Sequence, residues 1–356
     1  MKYNSEIPKI LVTPLNWGLG HATRCIPIIR ALIKEGFEPI LAGDGESLIL
    51  LQKEFSKLKS YKLPTYHIQY TKKGKNLKFK LLLETPRILN VIKKEQELVA
   101  EIIKKENIRG IISDNRFGVR SSKIPSVYIT HQINVLSGIT SFFTSKFHQK
   151  IILKFDECWI PDYETPPFLA GRLSHSNNTK LNVKYIGPLS RFKSTPTEQD
   201  KKYDIMVLLS GPEPQRTLLE EKLVKELEFY SKKVVFIRGI ITDKPLKTSN
   251  KNIEIIDFMM QRNLQKAIQN SKIIIARSGY STIMDLEKLE AKAFFIPTPG
   301  QYEQMYLAKY LKEQEIAPYA LQREFKLDLV EKTENYKGFK SKKVNNSISF
   351  DLFKNT

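Results

Sequence analysis

Three groups of side chains in this sequence have the types and spacing for chemistry on phosphorylated and hydroxylated ligands. The first is Arg277, Ser278, Gly279, Tyr280, Ser281 and Thr282, placed between the apolar run 273–275 and a helical stripe of Ile283, Leu286 and Leu289. A helix N-terminus offers unpaired N–H groups and the positive end of the helix dipole, which together favour a phosphate. Gly279 lets the backbone approach closely, and the hydroxyls add donors. Asp285 follows Ser281 by four residues, so both share a helix face. A carboxylate there suits a ribose hydroxyl. Glu303 and Gln304, in the loop after the next strand, suit the hydroxyls of a second sugar.

The second group lies in the glycine-containing loop of residues 16–24, with Gly18, Gly20, His21 and Arg24. The third comprises Asp114, Asn115 and Arg116, and then His131, each following a short β-branched run. A general base working near neutral pH is most often a histidine. His21 is the first candidate, with Asp114 and His131 as alternatives; Gly18, Gly20, Arg24, Asn115 and Arg116 would shape an acceptor loop around it.

These residues need a scaffold that brings strand ends together. Apolar β-branched runs at 9–15, 37–42, 110–113, 126–130, 157–160 and 183–186 alternate with helical patterns, and a second alternation starts at 204–209. That is an α/β chain with doubly wound sheets, in which ligands bind beyond the carboxyl ends of the strands. The organisation expected is an N-terminal domain over 1–190, a linker over 191–202, a C-terminal domain over 203–330 and a tail over 331–356. In the second half, Ser210 and Gly211 follow a strand and form a second phosphate-facing loop, with Arg216 close behind. Arg238 ends another strand, where it would meet phosphate or ribose.

Composition narrows the partners. The net charge is +20, which attracts phosphates, anionic lipids or nucleic acids. Residues 72–94 hold eight basic side chains and one acid, Glu84, interleaved with apolar residues, a pattern suited to an interfacial membrane contact. The two cysteines are far apart, which fits a reducing compartment. No leader-type apolar segment precedes the first strand, and no apolar run is long enough to span a bilayer. Asp162 and Glu164 have the spacing of a metal-holding carboxylate pair but sit among prolines, and read as a solvated loop. No metal site is expected.

Arg277-Ser278-Gly279, Asp285, Pro297 and Glu303-Gln304 resemble the donor site of MurG-like glycosyltransferases, and the loop with His21 resembles that family's N-terminal glycine loop. The resemblance implies the GT-B fold, two Rossmann-like domains facing across a cleft, with a UDP-sugar donor in the second and an acceptor hydroxyl in the first. It implies direct displacement with inversion, no obligatory metal or other cofactor, and Phe258, Met259 and Met260 lining the uracil. It also implies a lipid-linked or cell-envelope acceptor and a cytoplasmic enzyme, peripheral on the inner face of the membrane. Two positions depart from the family: Asp285 replaces its usual glutamate, and Met305 stands where a second glutamine is common. A hydrolysing UDP-sugar epimerase of the same fold is the alternative. A basic nucleic-acid-binding protein is a third reading, but aromatic residues are not interleaved with the charge in a binding stripe.

Overall fold

The computed structural model describes residues 7–66, 77–138, 141–176, 178–193, 201–240, 242, 244–342 and 348–354, with the backbone alone for 77–85. The described residues form two compact units, one of those up to 189 together with 348–354, the other of those from 190 to 342.

The N-terminal unit is built on β1 (Lys9–Pro14), α1 (Gly20–Lys34), β2 (Glu38–Gly43), α2 (Gly45–Glu54), β3 (Ser60–Lys62), α3 (Leu77–Glu106), β4 (Ile108–Asp114), β5 (Ser126–Ile129), α4 (Ser141–Ile152), β6 (Glu157–Ile160) and β7 (Val183–Tyr185). Its seven strands lie in the order β3-β2-β1-β4-β5-β6-β7, all parallel. Ile10, Leu11, Val12, Ile111 and Ile112 are wholly buried, as expected of strands covered on both faces. The winding reverses between β1 and β4. There Pro14 is in register with Asp114, and the Leu15 N–H donates to the Asp114 carbonyl at 2.9 Å. The loops leaving these two strands are therefore neighbours.

The C-terminal unit follows the same plan with β8 (Tyr203–Leu208), α5 (Gln215–Glu226), β9 (Val234–Ile237), β10 (Ile253–Ile256), α6 (Gln261–Gln269), β11 (Ser271–Ala276), α7 (Tyr280–Lys288), β12 (Ala293–Phe295) and α8 (Tyr302–Glu313). The strand order is β10-β9-β8-β11-β12, again parallel. The reversal falls between β8 and β11, where Leu208 is in register with Ala276. Leu219, Leu223 and Leu227 of the α5 region pack with Val207, Phe236 and Phe294 to fill one face of the sheet.

Three elements differ from the sequence reading. Helix α1 starts at Gly20, so His21 and Arg24 sit on its first turns rather than in a loop. Residues 302–313 are helical, so Glu303 and Gln304 belong to the first turn of α8. The basic segment 72–94 divides: residues 72–76 lie outside the described ones, and the remainder is the first half of α3. No helix of the described residues is long and apolar enough to cross a membrane.

The chain ends in a short helix, α9 (Asp351–Lys354), within the N-terminal unit. Phe350 packs against Phe37 and Trp159 with ring centroids 5.9 and 5.8 Å away, and Phe353 against Trp159 at 6.3 Å. Gly110 makes room for Phe353: a Cβ there would stand 2.3 Å from its Cδ1. Truncating this fully buried ring leaves a cavity in the core. Phe353→Ala should cost about 3–5 kcal/mol in urea-unfolding measurements, and an unchanged unfolding midpoint would contradict this packing.

Candidate functional site

In the N-terminal unit, the chain leaves β1 through Gly18, whose φ of +78° and open surroundings suit glycine. It enters α1 at Gly20. One turn of helix places His21 and Arg24 on the same side, over the end of β4. Arg24 grips Asp114 with a two-pronged guanidinium, its Nε donating to Oδ2 at 2.5 Å and its Nη2 to Oδ1. Both side chains are buried. His21 Nδ1 lies 2.9 Å from Asp114 Oδ1 and 2.8 Å from Arg24 Nη2. A guanidinium only donates and a carboxylate only accepts. A lone pair on Nδ1 would face the carboxylate directly, and Arg24 Nη2 already donates to that same carboxylate, so we assign the proton to Nδ1, donating to Asp114. That leaves the Nε2 lone pair of His21 for a substrate.

The electrostatics fit this assignment. Burial lowers the pKa of His21, with the Arg24 charge adding to the effect, and the opposing pull of Asp114 does not overcome them. Burial alone would raise Asp114, but Arg24 and His21 outweigh it and hold the carboxyl at about 2. Asp114 is wholly buried with both oxygens engaged by Arg24 and His21, so it orients its neighbours and does not face a substrate as a base would. His131 is buried with Nδ1 3.1 Å from Arg24 Nη1. Because the guanidinium only donates, His131 accepts through Nδ1 and steadies Arg24 from the far side. Asn115 takes φ +58°, a conformation asparagine tolerates, and its Oδ1 accepts from the Tyr128 hydroxyl at 2.9 Å.

Arg116 does not belong to an acceptor loop. It is wholly buried, with Nε donating to Glu95 at 2.6 Å, Nη1 to Asp44 at 2.5 Å and Nη2 to the Pro64 carbonyl at 2.6 Å. Asp162 is not a solvated loop residue either. It is buried and accepts from the N–H groups of Tyr163, Leu169 and Ala170 and from the Ser174 hydroxyl; Glu164 is exposed. Among the described residues no three His, Cys, Asp or Glu side chains cluster as metal ligands.

In the C-terminal unit, the turn Arg277-Ser278-Gly279 joins β11 to α7. Gly279 is the N-cap of α7, with no side-chain cap bond and open space where a Cβ would stand. The first turn therefore presents its backbone end, beside half-buried Ser281 and Thr282. Tyr280 is buried in the core. Ser210 and Gly211 lie exposed beyond β8, and a Cβ on Gly211 would be 3.9 Å from Thr298 Oγ1 beyond β12. Phe258 and Met259 are half-buried beyond β10, and Met260 is exposed.

Arg277 laces these loops together. It is buried, with Nη1 donating to the carbonyls of Ile296 and Pro297 at 3.0 and 3.2 Å, and Nη2 donating to the Gln215 carbonyl and to Gln322 Oε1, both at 2.8 Å. Among the described residues no carboxylate pairs with it, and burial draws its pKa down to about 10. Ser278 donates to the Gln304 carbonyl at 2.8 Å, and Gln304 Oε1 accepts from the Thr298 N–H at 2.8 Å. Gln304 therefore braces the β12 loop with its side-chain oxygen instead of offering it to a sugar. Glu303 is half-buried beside it.

Arg216 and Arg238 are corrected from ligand contacts to structural ones. Arg216 is buried on Glu213 and Glu220 at 2.6 and 2.9 Å, and Arg238 on the same Glu220 and on Asp257 at 2.7 and 2.6 Å. Asp285 is buried, which raises its pKa. Its Oδ1 accepts from the Ser190 hydroxyl at 2.6 Å, and its Oδ2 lies 3.3 Å from Arg191 Nε. The carboxylate so clasps the first residues of its own unit and keeps further lone pairs for a ligand.

Sequence reasoning missed Arg24 as the centre of the N-terminal cluster. Its spacing of three from His21 is the signal that would have found it, once the helix is started at Gly20.

Residues 215–353 match the glycosyltransferase family 28 C-terminal domain. The chain is 24% identical over 333 residues to an uncharacterized glycosyltransferase of Methanosarcina mazei, covering 86% of this chain and 84% of that protein. It is 22% identical over 308 residues to the UDP-N-acetylglucosamine--N-acetylmuramyl-(pentapeptide) pyrophosphoryl-undecaprenol N-acetylglucosamine transferase of Haemophilus ducreyi, covering 82% and 79%. Among solved structures, the glycotransferase of kitacinnamycin superposes with a TM-score of 0.64 at 11% identity, covering 92% of this chain and 90% of that one. The chain is a glycosyltransferase with the GT-B fold.

Removing Arg24 tests the N-terminal cluster without any assay of activity. Arg24→Met leaves Asp114 buried without a counter-charge, which should cost about 3–5 kcal/mol in denaturant titrations. It also removes a positive neighbour from His21, so the imidazole should titrate at higher pH by NMR. An unmoved His21 titration would contradict the assignment.

Proposed function

We propose that this GT-B glycosyltransferase moves a sugar from a UDP-sugar donor to a hydroxyl of a lipid-linked or cell-envelope acceptor, with inversion and without a metal ion. The observation that carries the reading is the 2.9 Å contact between His21 and Asp114 at the reversal point of the N-terminal sheet. His21 Nε2 takes the proton of the acceptor hydroxyl as that oxygen bonds to the anomeric carbon and the bond to the donor diphosphate breaks. Asp114, ionised throughout, stabilises the imidazolium that forms. Burial, with the charge of Arg24 added, keeps the resting imidazole neutral and ready to accept.

The donor half of the reading rests on the uncapped N-terminus of α7, the open approach at Gly279 and the buried, unneutralised Arg277 behind them. Backbone N–H groups and a positive field suit a diphosphate that gains charge as it leaves. Asp285 takes the ribose, and Phe258, Met259 and Met260 line the uracil. The name of the Haemophilus relative, with its UDP-sugar donor and undecaprenol-linked acceptor, supports the choice of nucleotide and acceptor class. The net charge of +20 supports work at an anionic inner membrane face from the cytoplasm.

His21→Ala should lower kcat by about 10²–10⁴-fold with UDP affinity intact; unchanged turnover would remove His21 as the base. The neutral imidazole is the active form and its pKa is lowered from 6.5, so kcat/KM should fall to half its plateau only at a pH below 6.5. An acid limb with its half-point above that value contradicts the assignment. Gly279→Val meets no clash and an ordinary φ of −74°, so the variant should fold normally. Its side chain would stand in the phosphate approach and should weaken UDP binding about tenfold or more by calorimetry. Equal affinity would move the diphosphate elsewhere.

A further inference from the structure

We infer that Trp17 is a platform on which an uncharged sugar ring of the acceptor rests, so that the hydroxyl delivered to His21 is one of that ring's own. The inference rests on the reading of His21 as the base and deepens it by naming the residue that selects the acceptor. Trp17 is 44% exposed. It stands on the loop leaving β1, four residues before His21, at the reversal of the N-terminal sheet. Ligands of doubly wound sheets bind beside such a reversal. A single exposed aromatic residue needs no explanation by itself. Its place, and the way its loop is held, set this one apart.

The loop is fastened before and after the indole. The Leu15 N–H donates to the Asp114 carbonyl at 2.9 Å. Asn16 reaches across to the loop after β2: its Nδ2 donates to Asp44 Oδ2 at 3.3 Å, and its Oδ1 accepts from the Ser47 N–H at 3.3 Å. The Ser47 hydroxyl donates back to the Leu15 carbonyl at 3.3 Å. Gly45 leaves room for this approach, since a Cβ there would stand 2.1 Å from Asn16 Nδ2. Asp44 is in turn fixed by Arg116 Nη1 at 2.5 Å. After Trp17 the chain turns at Gly18 and enters α1 at Gly20. The chain of Arg116, Asp44 and Asn16 therefore positions the indole, and a platform fixed in advance loses little freedom when a ligand settles on it.

The chemistry of the loop selects the ligand. The net charge of the protein is +20, yet residues 15–23 hold no charged side chain, His21 being neutral. Arg24 and Arg116 are both engaged inward, the first on Asp114, the second on Asp44 and Glu95. An anion would find no lysine or arginine of the loop's own. What the loop offers instead is a broad ring with a negative π face. The C–H groups on one side of a pyranose are apolar and slightly positive, and they lie flat on such a face while the hydroxyls at the rim stay available. A flexible alkyl chain matches a flat ring less well and gives up more entropy on it.

The chain has two tryptophans, and the other, Trp159, is wholly buried. Acrylamide quenching of the whole chain's fluorescence therefore reports on Trp17. Methyl glycosides of glucose, galactose, mannose and N-acetylglucosamine would be titrated with no donor present. At least one should shield the indole, and Trp17→Phe, which leaves Trp159 as the sole tryptophan, should show no response. Shielding by none of them overturns the proposal. So does shielding by pyrophosphate alone or by hexanol alone, which would make the loop an anion site or a seat for an alkyl chain. In UDP release stimulated by lipid extract, Trp17→Ala should raise the half-saturating amount of extract about three- to tenfold with UDP affinity unchanged, and Trp17→Phe should recover most of that loss because it keeps an aromatic face. An alanine variant with wild-type half-saturation overturns the platform and leaves the transfer reading standing. Glycoside shielding in a chain that releases UDP from no UDP-sugar would defeat the transfer reading and leave the platform standing.

Discussion

The buried ion pair between Arg24 and Asp114 is the interaction on which the N-terminal site depends. Two strands running the same way end side by side, and the register of Pro14 with Asp114 places the start of α1 over the carboxylate. Desolvating both charges is costly, and their two-pronged geometry offsets that cost. Two consequences follow from one contact. The carboxyl stays ionised far below neutrality, and the first turns of α1 are pinned to the end of β4. The imidazole between them is kept neutral chiefly by its burial, with the Arg24 charge adding to the effect. His131 completes the arrangement by accepting from the same guanidinium.

The C-terminal unit solves a related problem with the opposite electrostatics. Arg277 is as deeply buried as Arg24, yet its partners among the described residues are carbonyl and amide oxygens. Those bonds join the loops after β11 and β12 to the start of α5. They engage Nη1 and Nη2 without cancelling charge, which is why burial alone lowers its pKa. The positive charge therefore remains behind a helix terminus that already favours anions. One arginine is neutralised to orient a base, and the other is left uncompensated where a leaving diphosphate would gain charge.

The strands of both sheets were legible because buried parallel strands read as short β-branched runs, and residues 273–275 and 110–113 are plain examples. With the strands placed, Asp114, His131 and the turn at Gly279 followed as strand-end residues. The arginines were less legible. Arg116 finds Asp44 and Glu95, 72 and 21 residues away, and no local pattern announces such partners. Arg216 with Glu220 has the spacing of four that marks a helical ion pair, and that signal was readable. Helix α8 was hidden because its first turn is polar and half-buried. Helix α4 was hidden for a more telling reason: its phenylalanines face outward, so its apolar residues do not form the single inward stripe by which a helix is recognised.

The account stands on the transfer of sugar from a uridine diphosphate donor, and a turnover screen addresses that most directly. The whole chain would be incubated with a panel of UDP-sugars, with and without lipid extract, and release of UDP followed. The account predicts slow release with at least one UDP-sugar, accelerated by the extract and retained when EDTA is added. Absence of release with every UDP-sugar, together with no binding of UDP, would contradict it.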